Sequence, residues 1–119
     1  MNDLRLGAVE SRFADIIWNN EPLSSRELVE KAKAEMDWNK STTYTVLRRL
    51  CEKGIFKNED GAVTSLISKE EFIARQSEQF VEDTFDGSLP AFLSAFTSRK
   101  QLSDAEVQEL IDIIKTKRG

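Results

Sequence analysis

The apolar positions of this chain recur at helical spacing for most of its length and change to a strand-like run only once. Val9, Phe13, Ile16 and Ile17 form the first stripe. They predict a helix that begins near Gly7, carries Glu10 in the capping-box position and ends at Asn19-Asn20. Pro22-Leu23 reads as a short extended link suited to one rung of pairing with a later strand. Ser24 followed by Glu27 opens a second helix from about Ser25 to Met36, with Leu28, Val29 and Ala32 inward. A turn at Asp37 to Asn39 leads into a third helix from about Lys40 to Lys53. Its buried stripe is Thr43, Val46, Leu47 and Leu50, and Gly54 closes it in a left-handed conformation.

After Gly54 the period shortens. Residues 55–58 and 62–67 read as two strands around the turn Glu59-Asp60-Gly61. Three helices followed by a hairpin is the order of a winged helix-turn-helix domain. Ser68 with Glu71 then opens a helix from about Lys69 to Asp86, striped by Phe72, Ile73, Gln76, Phe80, Val81 and Phe85. Gly87-Ser88 breaks it before a short apolar helix, Leu89 to Phe96. Ser103 with Glu106 opens a last helix that buries Val107, Leu110, Ile111 and Ile114. Met1 to Leu6 reads as a loose arm. The expected fold is therefore mainly α with a small β-hairpin. Residues 1–68 form the winged helix-turn-helix domain, and residues 69–119 form a three-helix dimerisation domain.

Composition narrows the class. In 119 residues, 39% are hydrophobic and 32% charged, the balance of a soluble globular chain. No apolar run approaches the ~20 residues that span a bilayer, and no signal peptide opens the chain. The single cysteine, Cys51, excludes an intrachain disulfide and suits a reducing cytoplasm; its simplest role is a small apolar filler. Histidine is absent, so the commonest general base and metal ligand is missing. There is no phosphate-cradling glycine loop, metal-ligand spacing or catalytic carboxylate pair either, and we expect no enzyme, no cofactor and no metal.

The net charge of −4 hides an asymmetry. Residues 39–58 carry five basic side chains against one acidic, whereas residues 68–119 carry seven against ten. A third helix with an aliphatic back and a basic, hydroxyl-rich front suits the major groove. Thr42, Thr45 and Arg49 are the expected base readers, with Arg48 beside them. Lys40, Ser41, Lys53 and Lys57 are the expected phosphate contacts. Tyr44 either stacks on the DNA backbone or packs against the second helix. The competing reading is a winged helix that docks a protein; the acidic total favours it, and the shortage of aromatic anchors on that front disfavours it.

The C-terminal stripes are too apolar to stay in water, and a second copy of the chain is the simplest cover. Phe80, Val81, Phe85, Leu89, Phe92, Leu93, Phe96, Leu110, Ile111 and Ile114 are the expected dimer contacts.

Several ordered features now coincide: Leu6-Gly7, Glu10, Phe13 and Ile17-Trp18; Trp38, Thr42, Thr45, Arg49-Leu50 and Lys53-Gly54; the acidic-glycine wing turn; Phe85 with Gly87-Ser88; and Leu102-Ser103, Glu106 and Leu110. In these the chain resembles the penicillinase-repressor (BlaI/MecI/CopY) family of bacterial repressors over nearly its whole length. The resemblance implies a homodimer on a palindromic operator, with interlocked C-terminal helices. It also implies a membrane-bound sensor-protease as a partner, acting at an Asn-Phe bond whose position here is Ala95-Phe96. The copper-responsive branch switches through C-terminal cysteines, and this chain has none there. The family's wing carries a basic residue after its glycine and an aromatic further on. Here those places hold Ala62 and Leu66, which shifts the expected DNA contact toward Lys40, Arg48, Arg49, Lys53 and Lys57.

Overall fold

The computed structural model describes residues 4–118. The elements run α1 (Ala8–Asn20), β1 (Leu23–Ser24), α2 (Ser25–Met36), α3 (Lys40–Glu52), β2 (Phe56–Glu59), β3 (Ala62–Ser65), α4 (Lys69–Phe85), α5 (Leu89–Thr97) and α6 (Asp104–Lys117). The chain divides into two compact units, one through Gln79 and one from Phe80, with the division falling within α4.

In the first unit each local signal closes on a common core. Phe13, Ala14, Ile16 and Ile17 bury one face of α1, Leu28 and Ala32 one face of α2, and Val46, Leu47 and Leu50 one face of α3. Ile55, Phe56 and Val63 complete the core from the hairpin. Thr43 is the buried polar residue among these, and its hydroxyl donates to the Asn39 carbonyl at 3.0 Å, so its burial leaves no donor unsatisfied. The three-stranded sheet has the order β1-β3-β2, both pairs antiparallel. Leu23 faces Val63 across the single extra rung that the Pro22-Leu23 link anticipates. Asp60 and Gly61 both take positive φ, 52° and 82°, as a two-residue hairpin turn demands. The Gly61 carbonyl accepts from the Ser25 N–H at 2.8 Å, which docks the wing turn on the start of α2.

Trp18 links the winged unit to the start of α4. Its indole N–H donates to the Ile67 carbonyl at 3.1 Å, and its ring lies 5.1 Å from Phe56 and 5.4 Å from Phe72. Lys69 pairs with Asp15 at 2.8 Å beside it.

Four expectations change. The arm is not loose over its described part: Leu4 is buried, and its N–H donates to Gln79 Oε1 at 3.1 Å. Leu4 fills a gap at the core's edge that helical periodicity does not register; residues 1–3 lie outside the described part. Val9 is 52% exposed, and Ala14 takes its place in the stripe because the small side chain permits close approach. Of the four capping boxes, those at Ser24/Glu27 and Ser103/Glu106 close reciprocally. At α1 the cap is Gly7, which has no side chain to accept, and at α4 Ser68 accepts from the Glu71 N–H while the Glu71 carboxylate holds Arg75 at 2.8 Å. Finally, the stripe of α6 is not buried within one chain: Val107, Ile111 and Ile114 are exposed, as are Ile73 and Phe80 of α4.

Candidate nucleic-acid interface

The geometry of α3 begins with its ends. Asp37 takes a left-handed φ of 55°, its N–H returning to the Lys33 carbonyl, and so stops α2. Two residues on, the Asn39 side chain caps α3 by accepting from the Thr42 N–H at 2.8 Å. A three-residue turn between the helices is the helix-turn-helix connection. Gly54, with φ of 81°, lets the chain leave α3 and enter the wing.

With Thr43, Val46, Leu47 and Leu50 buried, 100° per residue puts Ser41, Thr45, Arg48 and Glu52 on the opposite, outward face. Thr42, Arg49 and Lys53 form one flank, and Lys40, Tyr44 and Cys51 the other. The outward face carries little internal bonding. The Thr45 hydroxyl donates back to the Ser41 carbonyl at 2.9 Å, and the side chain is exposed. Arg48 is exposed and has no ion pair among the described residues.

Both flanks are engaged. Arg49 lies 3.6 Å from the Glu10 carboxylate of α1, and Lys53 Nζ donates to the Arg5 carbonyl at 2.9 Å. On the other side Tyr44 is half-buried and its hydroxyl donates to Ser25 Oγ at 3.2 Å, so it packs against α2. Lys40 Nζ stands 6.0 Å from the Tyr44 ring centroid. Lys57, on β2, pairs with Glu59 at 3.3 Å.

Sequence reasoning missed the start of α2. Ser25, Arg26, Lys40, Tyr44 and Gly61 line one hollow between α2, α3 and the wing turn. The capping box at Ser24 fixes where α2 starts and was the available signal. A second open groove lies between α3 and β2, bordered by Arg48, Cys51, Lys57 and Leu66. Burial pushes the Cys51 thiol above its ordinary range, a shift opposed by the Asn58 backbone N–H, so the group stays protonated at neutral pH as a packing residue. Among the described residues no group of three His, Cys, Asp or Glu side chains could hold a metal ion.

In the second unit Phe80, Phe85, Phe92 and Phe96 form an aromatic cluster, with successive ring centroids 5.7–6.1 Å apart. Leu89 and Phe96 remain 60% and 48% exposed, and neither α5 nor α6 has a buried residue. Val81, Phe85, Phe92, Leu93 and Leu110 are half-buried. Ala95 and Phe96 are exposed, and their peptide bond lies inside α5.

A capped reading helix, a wing seated on α2 and a following set of helices define a winged helix-turn-helix chain with a helical C-terminal segment. The penicillinase-repressor family model matches residues 6–116, and the chain belongs to that family. The methicillin resistance regulatory protein MecI of Staphylococcus aureus (strain Mu50 / ATCC 700699) is 26% identical over 116 residues, covering 94% of both chains. The penicillinase repressor of Bacillus licheniformis is 25% identical over 115 residues, covering 93% of this chain and 90% of its own. Membership makes this chain a DNA-binding transcriptional regulator. No helix among the described residues is long and apolar enough to cross a membrane.

Proposed function

We propose that the chain is a homodimeric, sequence-specific repressor that lays α3 in the major groove of a palindromic operator. The observation that carries this is the outward face of α3, where Ser41, Thr45 and Arg48 stand exposed directly opposite four buried residues. Thr45 offers a methyl to thymine, and Arg48 a two-pronged donor to guanine. Ser25, Arg26 and Lys40 around the start of α2, with Lys57 on the wing, hold phosphates and set the register. Two such helices reach successive turns, roughly 34–36 Å apart, only when two chains are joined. The uncovered apolar faces of the second unit supply that joint.

The test is binding of purified protein to promoter DNA from its own locus and to a scrambled duplex of equal length. Arg48→Ala is expected to weaken the specific complex by about 1–3 kcal/mol and the scrambled one by much less. Equal loss on both duplexes would make Arg48 a phosphate contact. Failure of the unaltered protein to prefer any promoter fragment would overturn the reading.

A further inference from the structure

In sequence Arg48 and Arg49 are adjacent, and Arg49 is the expected base reader with Arg48 beside it. In the structure they part: the turn of α3 puts Arg48 on the outward face and Arg49 on the flank, and there Arg49 meets Glu10. We propose that Glu10 is a positioning residue that sets specificity: it holds the Arg49 guanidinium against α1 and keeps that cation from phosphate. The inference rests on the DNA-binding reading and adds to it a term that limits binding to arbitrary sequence.

Three observations support this. First, the Arg49 guanidinium lies 3.6 Å from Glu10 Oε2 while its side chain stays 54% exposed, so it could swing to a neighbouring phosphate were it not held. Second, Glu10 Oε2 is shut off from water and has no hydrogen-bond partner. Releasing Arg49 would therefore leave a buried carboxylate oxygen without its counter-charge, a state that is costly to create. Third, the segment leading to Glu10 is itself pinned. Leu4 is buried, its N–H donates to Gln79 Oε1 at 3.1 Å, and its carbonyl accepts from Gln76 Nε2 at 3.4 Å. The next carbonyl, that of Arg5, takes Lys53 Nζ at 2.9 Å. Thus the flank bearing Arg49 and Lys53 is occupied by acceptors from the chain's own N-terminal segment, while Ser41, Thr45 and Arg48 are left open.

The consequence is a gain in discrimination. Each cation offered to phosphate strengthens binding to every sequence alike, whereas a base-reading contact strengthens only the correct one. Holding back one arginine per protomer lowers the non-specific background and leaves the reading face intact.

The test is Glu10→Gln in the full chain, titrated against a random-sequence duplex over a range of salt. The expected result is tighter non-specific binding by roughly fivefold to tenfold per protomer near 0.1 M salt, with log K falling more steeply by about 0.9 per protomer. Adding Arg49→Gln to that variant should return the slope to its original value. Unchanged or weaker binding by Glu10→Gln overturns the proposal. A DNA-free readout separates this from failure of the DNA reading: the Arg49 side-chain Nε–H resonance should shift on Glu10→Gln if the pair exists in solution. An unmoved resonance sinks the pair itself. A moved resonance with no DNA binding by either protein overturns both the inference and the function it rests on, leaving the ion pair as a structural fact alone.

Discussion

The two units of this chain solve the burial problem in opposite ways. Through Gln79, every α-helix of the winged part presents its stripe to one core, and Phe13, Ile17, Leu28, Leu50, Ile55 and Phe56 are shielded almost completely. From Phe80 onward no described residue reaches the same burial, although α5 and α6 are as regular and as apolar on one face. The first unit is complete within one chain. The second leaves its apolar faces uncovered. On the proposed reading this division has a use: the first unit carries the reading helix, and the second would set the distance between two such helices.

The sharpest way to break that contrast is a charge in the aromatic cluster. Phe92 touches Phe80, Phe85 and Phe96. If these rings are anchors of a two-fold interface, Phe92→Asp should cost about 2–4 kcal/mol at each copy, and the symmetry counts it twice. Sedimentation at micromolar concentration should then show monomer in place of dimer, and operator binding should fall with it. The thermal transition of the winged unit should stay where it was. A persisting dimer would place the joint elsewhere, and joint unfolding of both units would show that they are not independent.

That division was partly legible in the residues. The third helix is legible down to its four buried positions, because Thr43, Val46, Leu47 and Leu50 obey strict periodicity and Gly54 closes it with a local signal. The hairpin turn was legible from Asp60-Gly61 for the same reason. What escaped were choices made by tertiary contact. Nothing in a heptad pattern says that Ala14 outranks Val9 once α1 meets its neighbours, or that Leu4 will plug the core from outside any helix. The partners of Arg49 and Lys53 were equally hidden, since Glu10 lies 39 residues from Arg49 and Arg5 lies 48 from Lys53 along the chain. Charge counting finds the basic segment; only geometry divides its cations between the reading face and the flank.

A finer comparison uses the two reciprocal capping boxes, one in each unit. Ser24 accepts from the Glu27 N–H at 3.0 Å, and Ser103 from the Glu106 N–H at 3.1 Å, so the local chemistry is matched. Either serine replaced by alanine should cost roughly 1 kcal/mol. The two losses should nevertheless be read out differently. Ser24→Ala should lower the stability of the winged unit by an amount independent of protein concentration. Ser103→Ala should appear as a weaker dimer, with a midpoint that moves as the protein is diluted. Equal dilution dependence in both variants would mean that the winged unit, too, relies on the second chain.

The smallest expected effect is one of pH, and it belongs to the reading unit. The Glu27 carboxylate accepts from the Ser24 backbone N–H at 3.0 Å, and this bond, with a further one from the Ser24 hydroxyl, holds its pKa below the ordinary 4.5; Lys31 adds a minor pull in the same direction. A carboxylate whose folded pKa is depressed stabilises the fold above its unfolded pKa, and that contribution is lost as pH falls through the folded value. Glu27→Gln keeps the shape of the box and removes the proton site. The melting temperatures of the two proteins should therefore differ at neutral pH, and the gap should close as pH falls below the ordinary carboxylate range and through the lowered folded value. Because the carboxylate is exposed, the gap should be small; the direction of its closing is the signal. A gap that widened toward acid would mean that the charged form is not the one the box prefers. The start of α2, where Ser25 and Arg26 border the hollow beside α3, would then be organised by something other than its cap.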